Sequence, residues 1–156
     1  MKSIRGVWFF GVSGAGKTFA SRYLKNLIKK SCIIIDGDEV RKYVSFDLGY
    51  SLKDREIQIR RVFGITKILV NSKIFPIIST VYMNSLICNK LRKEKILLLK
   101  IERNHNFISD KKKIYKLNKN VVGKQIKYPN FKCVNILNNN SLKDFKKNIY
   151  KRFLNG

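Results

Sequence analysis

Short continuous apolar runs alternate along this chain with longer stretches in which apolar residues recur every three or four positions. That alternation is the pattern of strands feeding helices. The runs are Val7-Trp8-Phe9-Phe10, Cys32-Ile33-Ile34-Ile35, Phe75 to Thr80, Ile96 to Ile101 and Lys132 to Leu137. Between them, Phe19 to Lys30 places Ala20, Tyr23, Leu24, Leu27 and Ile28 at helical spacing. Asp54 to Ser72 carries Ile57, Phe63, Ile68 and Leu69 among charged positions, and Asn84 to Lys93 reads as a shorter helix. Ser141 caps a last amphipathic helix through Leu142, Phe145, Ile149, Tyr150 and Phe153. A run that is apolar throughout is the form taken by a parallel strand covered on both faces. Repeated strand–helix units therefore predict an α/β fold, a parallel sheet of about five strands flanked by helices, with ligands at the carboxyl ends of the strands. Residues 104–130 break the pattern by turning polar and basic, as expected of a short basic lid.

The junction between the first run and the first helix carries chemistry. Gly11-Val12-Ser13-Gly14-Ala15-Gly16-Lys17-Thr18 fits G-x-x-x-x-G-K-[ST] and lies between a strand and a helix, the context that pattern requires. Its glycines let backbone N–H groups turn inward around a polyphosphate at the positive end of the helix dipole. Gly11, Ser13, Gly14, Ala15, Gly16, Lys17 and Thr18 are accordingly the expected triphosphate cradle. Lys17 reaches the terminal phosphates, and the Thr18 hydroxyl ligates Mg²⁺. ATP and Mg²⁺ are the cofactors expected.

A second constellation stands at the end of the second run, where Asp36-Gly37-Asp38 places two carboxylates in the ligand crevice. One carboxylate can hold Mg²⁺ through water, the role expected of Asp36. The other can accept the proton of an attacking hydroxyl, the role expected of Asp38, which is also a candidate N-cap for a helix through Glu39, Val40 and Arg41. Phosphoryl transfer asks little more than in-line positioning, a metal ion and Lys17 to take up negative charge, and a carboxylate to orient the nucleophile. Arg41, Arg55, Arg60 and Arg61 supply guanidinium forks suited to a phosphate or sulfate on the acceptor.

Composition changes this picture only at the margins. Lys and Arg total 34 against 10 acidic residues, a net charge of +24. The lysines are spread along the chain with abundant Asn and Ile, so they describe a solvated surface that draws in anions rather than a specific nucleic-acid site. A basic nucleic-acid-binding ATPase is the alternative of another class. Cys32, Cys88 and Cys133 form no C-x-x-C pair and His105 is the only histidine, so no metal cage is expected from these ligands. No apolar run approaches the roughly 18 residues of a membrane span. Met1 to Arg5 leads directly into the first strand without a cleavable signal, so a cytoplasmic protein is expected. At 156 residues the chain reads as a single domain. The expected partner is a small-molecule nucleotide, with a homodimer left open.

The order GVSGAGKT, then IIIDGDEVRKYVSFDLGYSLKDREIQIRRV, then SDKKKIYK and NVVGKQIKYP resembles adenylylsulfate kinases, P-loop kinases that use ATP to phosphorylate the ribose 3′-hydroxyl of adenosine 5′-phosphosulfate. The likeness runs from Val7 to Asn138. It implies that Asp38 accepts the 3′-hydroxyl proton, that Arg41 and Arg55 hold the anionic end of the acceptor, that Tyr50 stacks on its base and that Lys112 in the lid contacts nucleotide. The chain also departs from the family pattern. Gln58 stands where the family has Asn, Ser79-Thr80-Val81-Tyr82-Met83-Asn84 replaces its F-I-S-P segment, and the lid is shortened before Asn120. Conserved donor residues beside an altered acceptor half point to a different nucleotide 5′-derivative, read around Tyr50, Gln58 and Tyr82. The resemblance implies a relative such as the cytidine diphosphoramidate kinases, which act in capsular polysaccharide decoration, with adenosine 5′-phosphosulfate as the alternative acceptor.

Overall fold

Five parallel strands form one sheet in the computed structural model, which describes residues 4–104, 108 and 119–156. In chain order the elements are β1 (Gly6–Phe10), α1 (Lys17–Leu27), β2 (Cys32–Asp36), α2 (Gly37–Tyr43), α3 (Leu52–Asn71), β3 (Phe75–Thr80), α4 (Ser85–Lys93), β4 (Ile96–Glu102), β5 (Val134–Leu137) and α5 (Leu142–Leu154). The sheet order is β2-β3-β1-β4-β5. Phe10 is in register with Thr80 of β3 and Lys100 of β4, so three strand ends meet at the start of the phosphate loop.

The central strands behave as their apolar runs predict. Every residue of β1 and β3 is buried, and two packed clusters fill the space on the two faces of the sheet. Trp8, Phe10, Ile78 and Ile87 lie in one cluster. Val7, Phe9, Leu24, Ile77 and Ile149 lie in the other. The second run differs from expectation: β2 is an edge strand in which only Ile35 is buried, and Ile33 is 43% exposed. An apolar run reports that a strand can be covered on both faces, not that the sheet order covers it.

The helices also sort differently from their raw spacing. The buried face of α3 is Gln58, Ile59, Val62, Thr66 and Val70, and Ile68 points to solvent. A capping box starts that helix two residues before Asp54: Ser51 accepts from the Asp54 N–H, and the Asp54 carboxylate accepts from the Ser51 N–H. Ser141 caps α5, as its sequence position predicts, by accepting from the Asp144 N–H at 3.1 Å. α1 ends at Leu27, because Ile28 is already extended.

The expected lid is only partly within the described residues, and Lys112 and His105 lie outside them. Its later portion is not a loose loop. Val121, Val122 and Ile126 are buried, Val122 bridges to Ile126, and the Tyr128 hydroxyl donates to the Val81 carbonyl at 2.6 Å. Apolar residues at four positions within a basic stretch anchor it against the end of β3. No helix among the described residues is long and apolar enough to cross a membrane, and none of their His, Cys, Asp and Glu side chains cluster as a metal cage.

Candidate active site

The strand ends of β1, β2 and β3 surround a compartment of about 260 Å³. Its walls include Ser13, Gly14, Gly16, Lys17, Thr18 and Asp36. Gly16 has φ of +107°, a left-handed backbone that side chains resist, and a Cβ there would stand 2.7 Å from Nδ2 of Asn138. Gly11 likewise has a positive φ, and a Cβ would collide with the Ile101 carbonyl. The loop is thus shaped by glycine at positions where a side chain would be strained. Residues and cavity together fit a polyphosphate, with the N-terminus of α1 and the Lys17 ammonium as its positive groups. Here Lys17 Nζ donates to the Val12 carbonyl at 2.9 Å.

Asp36 ties the compartment together. Its Oδ2 accepts from the Thr18 hydroxyl at 3.2 Å and from the Ser79 hydroxyl at 3.1 Å, and its Oδ1 accepts from the Asp38 N–H at 2.9 Å. Hydroxyl and carboxylate side by side are the oxygen donors that Mg²⁺ takes, one directly and one through water. Asp36 is also the N-cap of α2. The cap expected of Asp38 therefore belongs to Asp36, because φ and ψ turn helical two residues earlier than the sequence suggested. The Asp38 carboxylate makes no hydrogen bond or ion pair among the described residues and is exposed to the crevice.

A second cleft of about 570 Å³ adjoins the first. Asp38, Ser13, Gly37, Thr80 and Val81 line both, so Asp38 stands on the wall they share. Arg41, Tyr50, Arg55, Gln58 and Tyr82 line the larger cleft with Lys42 and Lys119. Tyr50 is 61% exposed at its mouth, with the Arg41 guanidinium 4.9 Å and that of Arg55 5.6 Å from the ring centre. Arg41 donates to the Gly49 carbonyl at 2.5 Å, and Arg55 to the Asn120 carbonyl at 3.0 Å. Both guanidinium groups are held by carbonyls, and neither makes a close ion pair with a carboxylate among the described residues. Burial, and then the charge of Arg41, pull the Arg55 pKa below its ordinary value, which makes an anion welcome in this cleft. Gln58 is buried, and its Nε2 donates to the Gly37 carbonyl at 3.0 Å while Oε1 has no partner. Tyr82 is buried too, and that burial raises its phenol pKa.

The structure thus brings Asp38, Arg41, Tyr50, Arg55, Gln58 and Tyr82 to one cleft, beside a cradle that holds Lys17, Thr18 and Asp36. Arg61 instead pairs with Asp47 on the surface, and Arg60 bonds back to the Glu56 carbonyl of its own helix. Two residues at the loop were not singled out in the sequence. Asn138 Nδ2 donates to the Ala15 carbonyl at 2.8 Å, and Arg103 Nη1 to the Gly14 carbonyl at 3.4 Å. Their positions just past β4 and β5 are the signal that would have found them, since strand ends line the ligand crevice.

The family model described as adenylylsulphate kinase matches residues 4–127. The adenylyl-sulfate kinase of Chloroflexus aurantiacus is 37% identical over 78 residues, 48% of this chain and 42% of that protein. That of Halothermothrix orenii is 38% identical over 76 residues, 47% of this chain and 41% of that protein. The matched stretch therefore covers less than half the length of either relative. Among solved structures, the APS kinase of Mycobacterium tuberculosis in complex with AMPPNP and APS superposes with a TM-score of 0.78 at 18% identity, over 97% of this chain and 98% of that one. A gluconokinase from Sinorhizobium meliloti superposes at 0.64 and 12% identity, over 96% and 91% of the two chains. At those identities the likeness shows the fold, which carries more than one acceptor chemistry.

Proposed function

Because the chain belongs to the adenylylsulphate kinase family, we propose that it is an ATP-dependent kinase that phosphorylates the ribose 3′-hydroxyl of a nucleotide 5′-derivative, adenosine 5′-phosphosulfate being the acceptor its relatives support. The supporting observation is the position of Asp38 on the wall common to the two clefts. A sugar hydroxyl in the larger cleft meets that carboxylate on its way to the phosphate compartment. ATP in the loop would supply the transferable phosphoryl group, and Thr18 and, through water, Asp36 would hold the Mg²⁺ that offsets its charge.

The residues of the chain have separate tasks in this reading. Lys17 leaves the Val12 carbonyl for the terminal phosphates. Asp38 accepts the hydroxyl proton and orients the oxygen for in-line attack. Arg41 and Arg55 hold the anionic 5′-group, and Tyr50 lies flat against the base. Segment 121–128, packed over the cleft from the side of Val81, excludes water and so protects ATP from hydrolysis.

A second acceptor is favoured by one feature, the buried Gln58 at the position where the family has Asn. It lines the cleft with Tyr82, and that departure from the family pattern supports a cytidine diphosphate-linked phosphoramidate as acceptor. One assay separates these readings: ATP consumption measured with adenosine 5′-phosphosulfate and with cytidine diphosphoramidate, compared as kcat/KM. The adenosine compound is expected to be preferred. Preference for the cytidine compound reverses the choice of acceptor, and inactivity with both from folded protein defeats the kinase reading.

A further inference from the structure

Lysine is spread along the whole chain, but carboxylates are not spread evenly over the fold. Of the acidic residues described, only Asp144 belongs to α1, α5 or the turn after α1, and the Ser141 hydroxyl donates to its carboxylate at 2.7 Å. The two helices pack side by side on one face of the sheet. The Phe19 and Phe145 rings stack with centres 5.8 Å apart, and Ala20, Leu24, Phe145 and Ile149 fill the cluster beneath them. With those positions turned inward, the helical period turns Arg22 and Lys25 outward on α1 and Lys143, Lys147 and Lys151 outward on α5. All five are exposed, and none takes part in the ion pairs found among the described residues.

Helix stability does not account for these cations. Lys25 and Lys151 complement the carbonyl ends of their helices, but Lys143 stands in the first turn of α5, at the positive end of the dipole, where a cation is unfavourable. What the five share is a surface. The same outward stripe carries Tyr150 and Leu154, both nearly half exposed, so ammonium groups on α5 are interleaved with an aromatic and an aliphatic side chain. Aliphatic groups do nothing for a phosphodiester backbone. At a lipid headgroup layer they enter the acyl boundary while the lysines meet anionic phosphates. No residue of α1 or α5 lines the acceptor cleft, so a planar surface against these helices leaves that cleft unobstructed.

We propose that the paired outer faces of α1 and α5 dock the protein on an anionic phospholipid surface. Arg22 and the lysines supply the attraction, and Tyr150 and Leu154 supply the shallow apolar contact that charge alone lacks. The contact is a face of the folded protein, weakened by salt, and it does not depend on which acceptor the cleft takes.

The test is co-sedimentation of the full chain with vesicles of phosphatidylcholine alone, or with about one third phosphatidylglycerol, at about 0.15 M salt. Wild type is expected to bind the anionic vesicles and not the neutral ones. Lys143→Gln, Lys147→Gln and Lys151→Gln together are expected to weaken that binding about a hundredfold. Lys53→Gln, Lys90→Gln and Lys93→Gln remove the same charge from exposed positions of α3 and α4, which pack on the opposite face of the sheet. That variant should stay within about threefold of wild type, because charges farther than about 8 Å from the lipid are screened. Tyr150→Ser with Leu154→Ser should weaken binding about tenfold. Thermal melting of each variant checks folding, and Lys147→Glu alone carries the comparison if the first triple variant does not fold. An equal loss in both triple variants makes binding a property of net charge and overturns the proposal, as does wild type that ignores anionic vesicles. Single-stranded RNA bound through the same lysines, without vesicle binding, would give the face to nucleic acid and overturn it as well.

Discussion

The N–H of Asp38 donates to the carboxylate of Asp36 at 2.9 Å, so one aspartate of the pair caps helix α2 and leaves the other uncommitted. The division has a chemical consequence. The Asp36 oxygens also accept from Thr18 and Ser79, so Asp36 is immobilised beside the phosphate loop, whereas Asp38 faces the acceptor cleft. Replacing Asp38 by Asn removes the proton acceptor and leaves the cap. We expect kcat to fall at least about a hundredfold with AMPPNP affinity unchanged, read by steady-state kinetics and calorimetry. Near-normal kcat would make Asp38 a spectator.

Lys17 is the ammonium poised at the cradle, bonded to the loop's own Val12 carbonyl. Lys17→Ala should lower kcat roughly a thousandfold, the scale lost when a charge-stabilising donor is removed from a phosphoryl-transfer or oxyanion site. Single-turnover measurements with saturating ATP separate this from weakened binding.

Tyr50 presents an exposed ring flanked by Arg41 and Arg55. If it stacks on the acceptor base, Tyr50→Ala raises the KM of the acceptor about tenfold and leaves the KM of ATP alone. A rise in both would place Tyr50 in the architecture of the whole crevice instead.

The Ser51–Asp54 capping box predicts a pH dependence of stability. Hydrogen bonds from the Ser51 hydroxyl at 2.7 Å and the Ser51 N–H at 3.1 Å hold the Asp54 carboxyl below its usual value of 3.8. A group with a depressed folded pKa stabilises the fold at pH above its unfolded value and loses that contribution as pH falls through the folded one. Asp54→Asn should therefore melt below wild type at pH 7, with the gap closing below about pH 3.8. Ser51→Ala, which removes the cap itself, should cost about 1 kcal/mol, or roughly 2–4 °C in Tm for a chain of this size.

Gly16→Ala tests the shape of the loop. The positive φ and the nearby Asn138 amide both oppose a methyl group there, at a cost of about 1–3 kcal/mol. Thermal melting and AMPPNP affinity should fall together.

The phosphate loop and the alternation of strands and helices were readable in order along the chain, because each depends on local spacing: glycine where φ turns positive, apolar runs where a strand is covered. Asp38, Arg41 and Tyr50 were readable as a group for a different reason, their fixed order in a family pattern. Ile68 and Ile33 were misread because spacing tells which positions can be buried, and only the neighbouring element decides which are. Nothing local set Asp36 above Asp38 as the cap, and for Arg103 and Asn138 the place just past a strand end marked the crevice but not the partner on the loop. Each depends on a partner on another strand or on two residues of helix phase.

By itself, then, the sequence determined the type and order of the elements and the chemistry carried at the ends of β1 and β2, since hydrophobic period and glycine content act over a few residues. Tertiary structure alone decided that β2 is an edge, that Asp38 sits on the wall between two clefts, and that Arg103 reaches the phosphate loop. Those relations come from the strand order β2-β3-β1-β4-β5, which brings together residues 36 and 79, and 14 and 103, through packing that no local run of residues encodes.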